Sequence, residues 1–249
     1  MRYVWDLSAT YRQTLPAPLR PLWDPLVRWL READRRAAAR VDQFVANSRH
    51  VAERVARHYG RDSVVVYPPV ELPPEPGRGP REDFYLCVGQ HVPYKRLDLA
   101  VAACRRLGRR LVVIGEGPDV HRLRRAWKGR ERGPIVLLGY QPDEVVRDYY
   151  RRARALLFPG QEDFGIVPVE AMAHGCPVVA YGVGGATETV RDGTTGVLFP
   201  EQTVEALAAA IERCERLRFD PVAMYAHTRQ FSRPRFLRQM RAVLSEMLA

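Results

Sequence analysis

The stretch Ala155-Leu156-Leu157-Phe158-Pro159-Gly160-Gln161-Glu162-Asp163-Phe164-Gly165-Ile166-Val167-Pro168-Val169-Glu170-Ala171-Met172-Ala173-His174-Gly175 decides the fold. Its first four residues form a short apolar run, the pattern of a buried strand. Pro159-Gly160 turns the chain. A helix then opens with Pro168 in its first turn, where a missing N–H costs nothing. Gly175 stops it. Cys176-Pro177-Val178-Val179-Ala180-Tyr181 reads as the next strand. The product is a β-loop-α-β unit with its loop at the carboxyl end of a strand, where open α/β sheets bind ligands.

The same alternation runs outward from this unit. Strands are predicted at 84–89, 111–114 and 135–138, with helices at 98–107, 118–127 and 142–152. Helices dominate after Phe199, at 204–217, 222–229 and 233–248. Such a pattern predicts an α/β fold, a doubly wound parallel sheet with helices on both faces. Upstream, Phe44-Val45-Ala46 and Val64-Val65-Val66 read as strands, with Asn47-Ser48 capping a helix that runs to Tyr59-Gly60. Residues 1–40 carry apolar anchors at helical spacing. Pro16, Pro18, Pro21 and Pro25 are expected to break them into short pieces that lean on something larger. Pro73-Pro74-Glu75-Pro76-Gly77-Arg78-Gly79-Pro80 is the best linker candidate. The expected organisation is a helix-rich part at 1–72, a linker at 73–82, a Rossmann-like domain at 83–232 and a C-terminal helix at 233–249.

Around the deciding loop, backbone N–H groups of Gly165, Ile166 and Val167 are expected to point out of a helix start that favours anions. Glu162, Asp163 and Glu170 are expected to crowd the same place. Carboxylates beside an anion site suit a ligand with both a diphosphate and hydroxyl donors, such as a sugar nucleotide. The plainer reading, first-turn acids favouring a helix dipole, stands beside it.

Composition is that of an ordinary globular protein: 249 residues, 46% hydrophobic and 27% charged. The first residues lack the apolar core of a signal peptide, and no apolar run is long enough to span a bilayer. Cys87, Cys104, Cys176 and Cys214 are scattered without metal spacing. They read as buried free thiols of a reducing, cytoplasmic compartment. The net charge of +10 leaves an anionic membrane surface open, at the inner face, as a peripheral contact. An Arg-rich solvent face explains it equally well. The absence of an RNA-binding aromatic signature or zinc-finger spacing argues against nucleic acid.

Glu162 and Glu170, with seven residues between them and Phe164-Gly165-Ile166 inside, resemble the E-x7-E signature of retaining GT-B glycosyltransferases of family 4 (glycosyl transferases group 1). Gly184-Gly185-Ala186-Thr187-Glu188-Thr189-Val190 and Asp192-Gly193-Thr194-Thr195-Gly196-Val197-Leu198-Phe199 resemble blocks of the same family. The resemblance runs from Phe84 to the C-terminus, and more weakly before it. It implies the donor-binding half of a hexosyltransferase. Glu162 would take the hexose and Glu170 the ribose, while Phe164, Gly165, Ile166 and Val167 border the donor. Tyr140 would lie near the base. The first strand is followed by Gly89-Gln90-His91-Val92-Pro93-Tyr94-Lys95-Arg96. There the family carries an Arg and then a Lys. Lys95 matches the Lys and would neutralise the leaving diphosphate. Gln90 stands at the Arg position, with Arg96 as a partial substitute. Glu162 and Lys95 are thus the catalytic candidates, and transfer in the family needs no metal and no cofactor besides the sugar nucleotide.

Arg2-Tyr3-Val4-Trp5-Asp6 resembles the middle of the N-terminal, acceptor-side domain of a mannosyltransferase-like subgroup. GDP-mannose is therefore an expected donor, and most of that domain is expected to be missing. A truncated chain, a split enzyme whose partner subunit brings the acceptor domain, and a binding module without catalysis are the alternatives, with a glycan or lipid-linked acceptor unspecified. A GT-B-type sugar-nucleotide epimerase is the rival from another class. His91 and His174 receive no catalytic role, and Glu188 no necessary one.

Overall fold

A computed structural model describes residues 2–126 and 133–248. The short helices α1 (Arg2–Trp5) and α2 (Ser8–Thr14) and the long α3 (Arg20–Ala38) come first. Then follow β1 (Phe44–Ala46), α4 (Arg49–Tyr59) and β2 (Ser63–Val65). The larger lobe alternates strictly: β3 (Tyr85–Val88), α5 (Leu97–Arg106), β4 (Leu111–Ile114), α6 (Pro118–Ala126), β5 (Ile135–Gly139), α7 (Asp143–Arg152), β6 (Ala155–Phe158), α8 (Ile166–Ala173) and β7 (Val178–Tyr181). It closes with α9 (Ala186–Thr189), β8 (Gly196–Phe199), α10 (Val204–Arg216), α11 (Pro221–Thr228) and α12 (Arg233–Leu248). The predicted end of the sixth helix at Trp127 falls outside the described residues.

Six strands form one sheet in the order β5-β4-β3-β6-β7-β8, every neighbouring pair parallel. This confirms the doubly wound α/β expectation. Successive side chains of a strand face opposite ways, and the two cores show it. Tyr85, Cys87, Leu111, Val113, Leu157 and Val179 pack with α5 and α10. Leu86, Val112, Ile114, Leu156, Phe158 and Val178 pack with Tyr150 of α7 and Val169 and Met172 of α8. Strands buried on both faces read as continuous apolar runs, which is why they were legible.

The first lobe is a two-stranded parallel sheet, β1 beside β2. The Oγ of Ser48 accepts from the Val51 N–H at 3.0 Å and caps α4, and Gly60 ends it at φ 63°. Proline breaks the N-terminal segment less than expected. Pro16 precedes and Pro18 lies within a 3₁₀ turn at Ala17–Leu19, but α3 runs on through Pro21 and Pro25. Pro21 sits in the first turn, where no N–H is needed. Pro25 is a single interior defect in a 19-residue helix with a strong apolar face. The short helices do lean on it. The Trp5 indole donates to Asp34 at 2.7 Å, and Trp23 donates to the Ser8 carbonyl at 3.1 Å.

The two lobes meet along two crossings. Val70 donates to the Phe231 carbonyl at 2.8 Å, so the strand leaving β2 and the segment entering α12 run side by side. Residues 73–82 lie against the larger lobe. Tyr225 donates to the Pro73 carbonyl at 2.7 Å, and the Arg81 guanidinium donates to the carbonyls of Tyr150, Arg151 and Gly175.

All four cysteines are buried free thiols. Burial pushes Cys104, Cys176 and Cys214 up to about 12, and Cys87 well above its ordinary value. An Ellman titration at pH 8 should detect none of them in the native chain and all four in denaturant.

Candidate functional site

In the strand order β5-β4-β3-β6-β7-β8 the chain winds outward in one direction from β3 and in the other from β6. The loops leaving these two neighbours therefore part and leave a crevice at their carboxyl ends. One loop carries Lys95 in a 3₁₀ turn, Pro93–Lys95, and the other carries Glu162. Lys95 Nζ lies 3.3 Å from Glu162 Oε1, both side chains mostly buried. Oε1 lacks a hydrogen bond of good geometry, so the contact is a charge pair rather than an aligned donor and acceptor. A cavity of about 20 Å³ lies between them, lined also by His91, Leu157 and Gly160.

Gly160 makes this approach possible. A Cβ there would stand 2.6 Å from Lys95 Cα and 2.9 Å from the Tyr94 carbonyl oxygen. A second close approach fixes the acidic loop from the other side. Gly185 N–H donates to the Glu162 carbonyl at 2.9 Å, and a Cβ on Gly185 would stand 2.3 Å from Phe164 Cα. The glycine pair at 184–185 thus seats the loop that carries Glu162.

The three acids do not share one place. Glu162 faces Lys95. Asp163 accepts from Arg54 Nη1 of α4 at 2.8 Å, and the Arg54 guanidinium also pairs with Asp6. Glu170, on the second turn of α8, accepts from the Tyr150 hydroxyl at 3.2 Å. It lines a separate cavity of about 110 Å³ with Glu71, Asp143, Arg147 and His174. Burial raises the Glu170 pKa, against the Tyr150 hydrogen bond, which lowers it. The expected crowding fails because Glu162 precedes the helix while Glu170 lies within it, turned toward α7.

The other candidates fall as follows. Gly165 is the N-cap of α8 at φ 91°, with no side chain capping the helix start. The first N–H groups of such a start lack intrahelical partners. Ile166 is exposed and Val167 half-buried. Phe164 turns inward, 5.4 Å from the Phe231 ring and 5.6 Å from that of Tyr67, so only its backbone borders the crevice. Gly89 closes β3 beside Lys95 Nζ, and Gln90 is exposed. The Arg96 guanidinium donates to Asp98 at 3.0–3.3 Å. Tyr140 is 77% exposed at the end of β5, two strands and so about 10 Å from β3.

Both histidines are structural. His91 Nε2 donates to the Ile114 carbonyl at 3.0 Å, and burial lowers its pKa. His174 caps α8, but burial lowers its pKa as well. It acts as a neutral imidazole donating Nδ1 to the Glu170 carbonyl at 2.8 Å, not as a cation on the helix dipole.

Glu188 has a role that its sequence context concealed. Its side chain is 6% exposed and accepts from the Arg49 N–H at 2.9 Å, the His50 N–H at 3.0 Å and the Tyr67 hydroxyl at 3.0 Å. It ties α9 to the start of α4 across the lobes, a contact 139 residues apart in sequence.

Comparison with known proteins follows this geometry. The family model of glycosyl transferases group 1 matches residues 71–231, and that of glycosyltransferase family 4 matches residues 6–72. The chain is 32% identical over 231 residues to a D-inositol 3-phosphate glycosyltransferase of Nocardia farcinica, covering 80% of this chain and 51% of that protein. Among solved structures, Anabaena HepE in complex with UDP-glucose gives a TM-score of 0.72 at 20% identity, over 87% of this chain and 67% of the other. The lipopolysaccharide outer core galactosyltransferase WaaB in its apo form gives 0.72 at 18% identity, over 98% and 80%. The chain spans about half the length of the curated relatives it matches.

Two substitutions test how the site is held. Gly160→Ala should cost about 1–3 kcal/mol in urea unfolding, as overpacking against backbone does. Glu188→Ala strands three donors and should cost about 2–3 kcal/mol by the same assay.

Proposed function

The chain belongs to the glycosyl transferases group 1 family, and from that premise we propose that its larger lobe binds a nucleoside diphosphate sugar and delivers the hexosyl group to an acceptor hydroxyl. The observation that carries the reading is the pairing of Lys95 with Glu162 at the sheet's switch point, 3.3 Å apart, beside a helix start that no side chain caps. A fixed cation and backbone amides act most strongly on charge that develops during the reaction. Here that charge is the leaving diphosphate, which Lys95 and the amides of Ile166 and Val167 would receive. Glu162 would turn from Lys95 toward the hexose hydroxyls, and Glu170, one helix turn beyond the amides, would accept from the ribose. The separation of the two carboxylates suits the two ends of one extended ligand.

The donor's base and sugar follow from different leads. The resemblance at Arg2-Tyr3-Val4-Trp5-Asp6 points to GDP-mannose, whereas the Anabaena HepE complex holds UDP-glucose. Retention of anomeric configuration belongs to the same proposal, since it comes with the family signature.

Calorimetry with UDP, GDP, UDP-glucose and GDP-mannose separates these roles. One base should bind saturably. Lys95→Ala should weaken diphosphates about 10- to 100-fold, the worth of a charge-assisted contact, and spare the free nucleoside. Glu162→Ala should weaken the sugar nucleotide and leave the free diphosphate within twofold. A folded chain that binds none of the four would overturn the reading.

A further inference from the structure

Glu170 owes its direction to a residue on another helix. Tyr150 of α7 is 1% exposed, and its hydroxyl donates to Glu170 Oε2 at 3.2 Å. A buried phenol needs a partner, and a mostly buried carboxylate needs a donor. A phenylalanine would fill the same space among Phe84, Leu156 and Met172. The hydroxyl therefore adds something beyond packing. It also acts on one oxygen only, which leaves Oε1 as the acceptor for a ligand.

Most of the other side chains that line the cavity are polar or charged. Asp143 and Arg147 face it from α7, Glu71 from the crossing between lobes, and His174 from the end of α8. Arg147 lies 3.7 Å from Glu71 rather than on Glu170. His174 donates Nδ1 to the Glu170 backbone, and its Nε2 is buried without a hydrogen bond among the described residues. Of the polar contacts described for the Glu170 carboxylate, the Tyr150 hydroxyl is the one with hydrogen-bond geometry.

We propose that Tyr150 is a positioning residue for donor binding: it fixes Glu170 so that the free carboxylate oxygen meets the vicinal hydroxyls of a ribose. The proposal rests on the reading of Glu170 as the ribose acceptor. Tyr150 itself touches no ligand and acts through Glu170.

The variants Tyr150→Phe and Glu170→Ala test it, titrated with UDP, GDP and their 2′-deoxy forms, with folding followed by circular dichroism and urea midpoint. The unmodified chain should prefer the ribonucleotide to its 2′-deoxy form. In Tyr150→Phe the ribonucleotide should weaken about tenfold, near the value of one hydrogen bond to a charged group, and the preference should shrink. Adding Tyr150→Phe to Glu170→Ala should change nothing further, the mark of two residues acting as one.

The pH profile gives a second readout that packing alone would not move. Glu170 accepts most strongly when ionised, so affinity is highest above its raised pKa and weakens as pH falls through it. Tyr150 favours the ionised form, and its loss should move the acid limb to higher pH. Each failure has its own signature. Nucleotides that bind nowhere overturn the donor reading. An unchanged Kd in Glu170→Ala overturns the ribose assignment. A weakened Glu170→Ala beside a Tyr150→Phe with unchanged Kd, discrimination and acid limb leaves Tyr150 a core residue and overturns this proposal alone. If Tyr150→Phe does not fold, Tyr150→Met is read by the same three measures, and an unchanged Kd, discrimination and acid limb in it overturn the proposal equally.

Discussion

The approach of Lys95 to Glu162 depends on strand order before it depends on side chains. β3 and β6 are neighbours, although two strands and three helices lie between them in sequence, because the chain winds outward and returns. At the point where winding reverses, no connection crosses the carboxyl ends of the two strands. Two loops can then face each other across a crevice, and the sheet fixes their spacing. Gly160 supplies the last ångström, since a side chain there would displace the turn that carries Lys95. A cation and a carboxylate held in this way lose little entropy when a ligand replaces their mutual contact.

The acidic loop is held on all sides. Its backbone is bonded to Gly185, its Asp163 to Arg54, and its Phe164 ring is sunk among Tyr67 and Phe231. Two of these anchors come from the first lobe. Glu188 adds a third link by capping α4. Carboxylates taken out of water need close, well-directed donors to offset desolvation. Glu188 has them in two backbone amides and a phenol. The lobes therefore meet through charge placed with geometric precision, at the place where the candidate ligand groups are carried.

The sheet was legible because fully buried parallel strands leave unbroken apolar runs, and the helix stops at Gly60 and Gly175 are local signals. The loop at 155–175 was legible for the same reason, as was its position at a strand's carboxyl end. What was not legible depends on distance in sequence. Glu188 shows no role in the sequence because its partners, Arg49, His50 and Tyr67, lie more than a hundred residues away. Phe164 sat inside a ligand-like motif, and only its phase with the core shows that the ring faces inward. The lowered pKa of His174 follows from burial, which no local pattern shows. Pro25 does not end α3, whose contacts to the short helices come from residues distant in sequence, Trp5 to Asp34 and Trp23 to Ser8.

The seven-residue spacing between Glu162 and Glu170 has a geometric meaning that neither carboxylate has alone. Glu162 lies before the helix, anchored to the sheet edge through its main chain and to Lys95 through its side chain. Glu170 is four residues after Ile166, about 6 Å farther along the axis of α8. Its azimuth is what brings it to Tyr150. One residue inserted within α8 ahead of Glu170 would swing it by about 100° around the helix, away from α7 and out of its cavity. One residue removed would swing it as far the other way. The spacing therefore works as a ruler with two settings, length along the helix and angle around it, and the uncapped amides of α8 lie between its ends. The proposed donor, hydroxylated at both ends and anionic in the middle, matches that order.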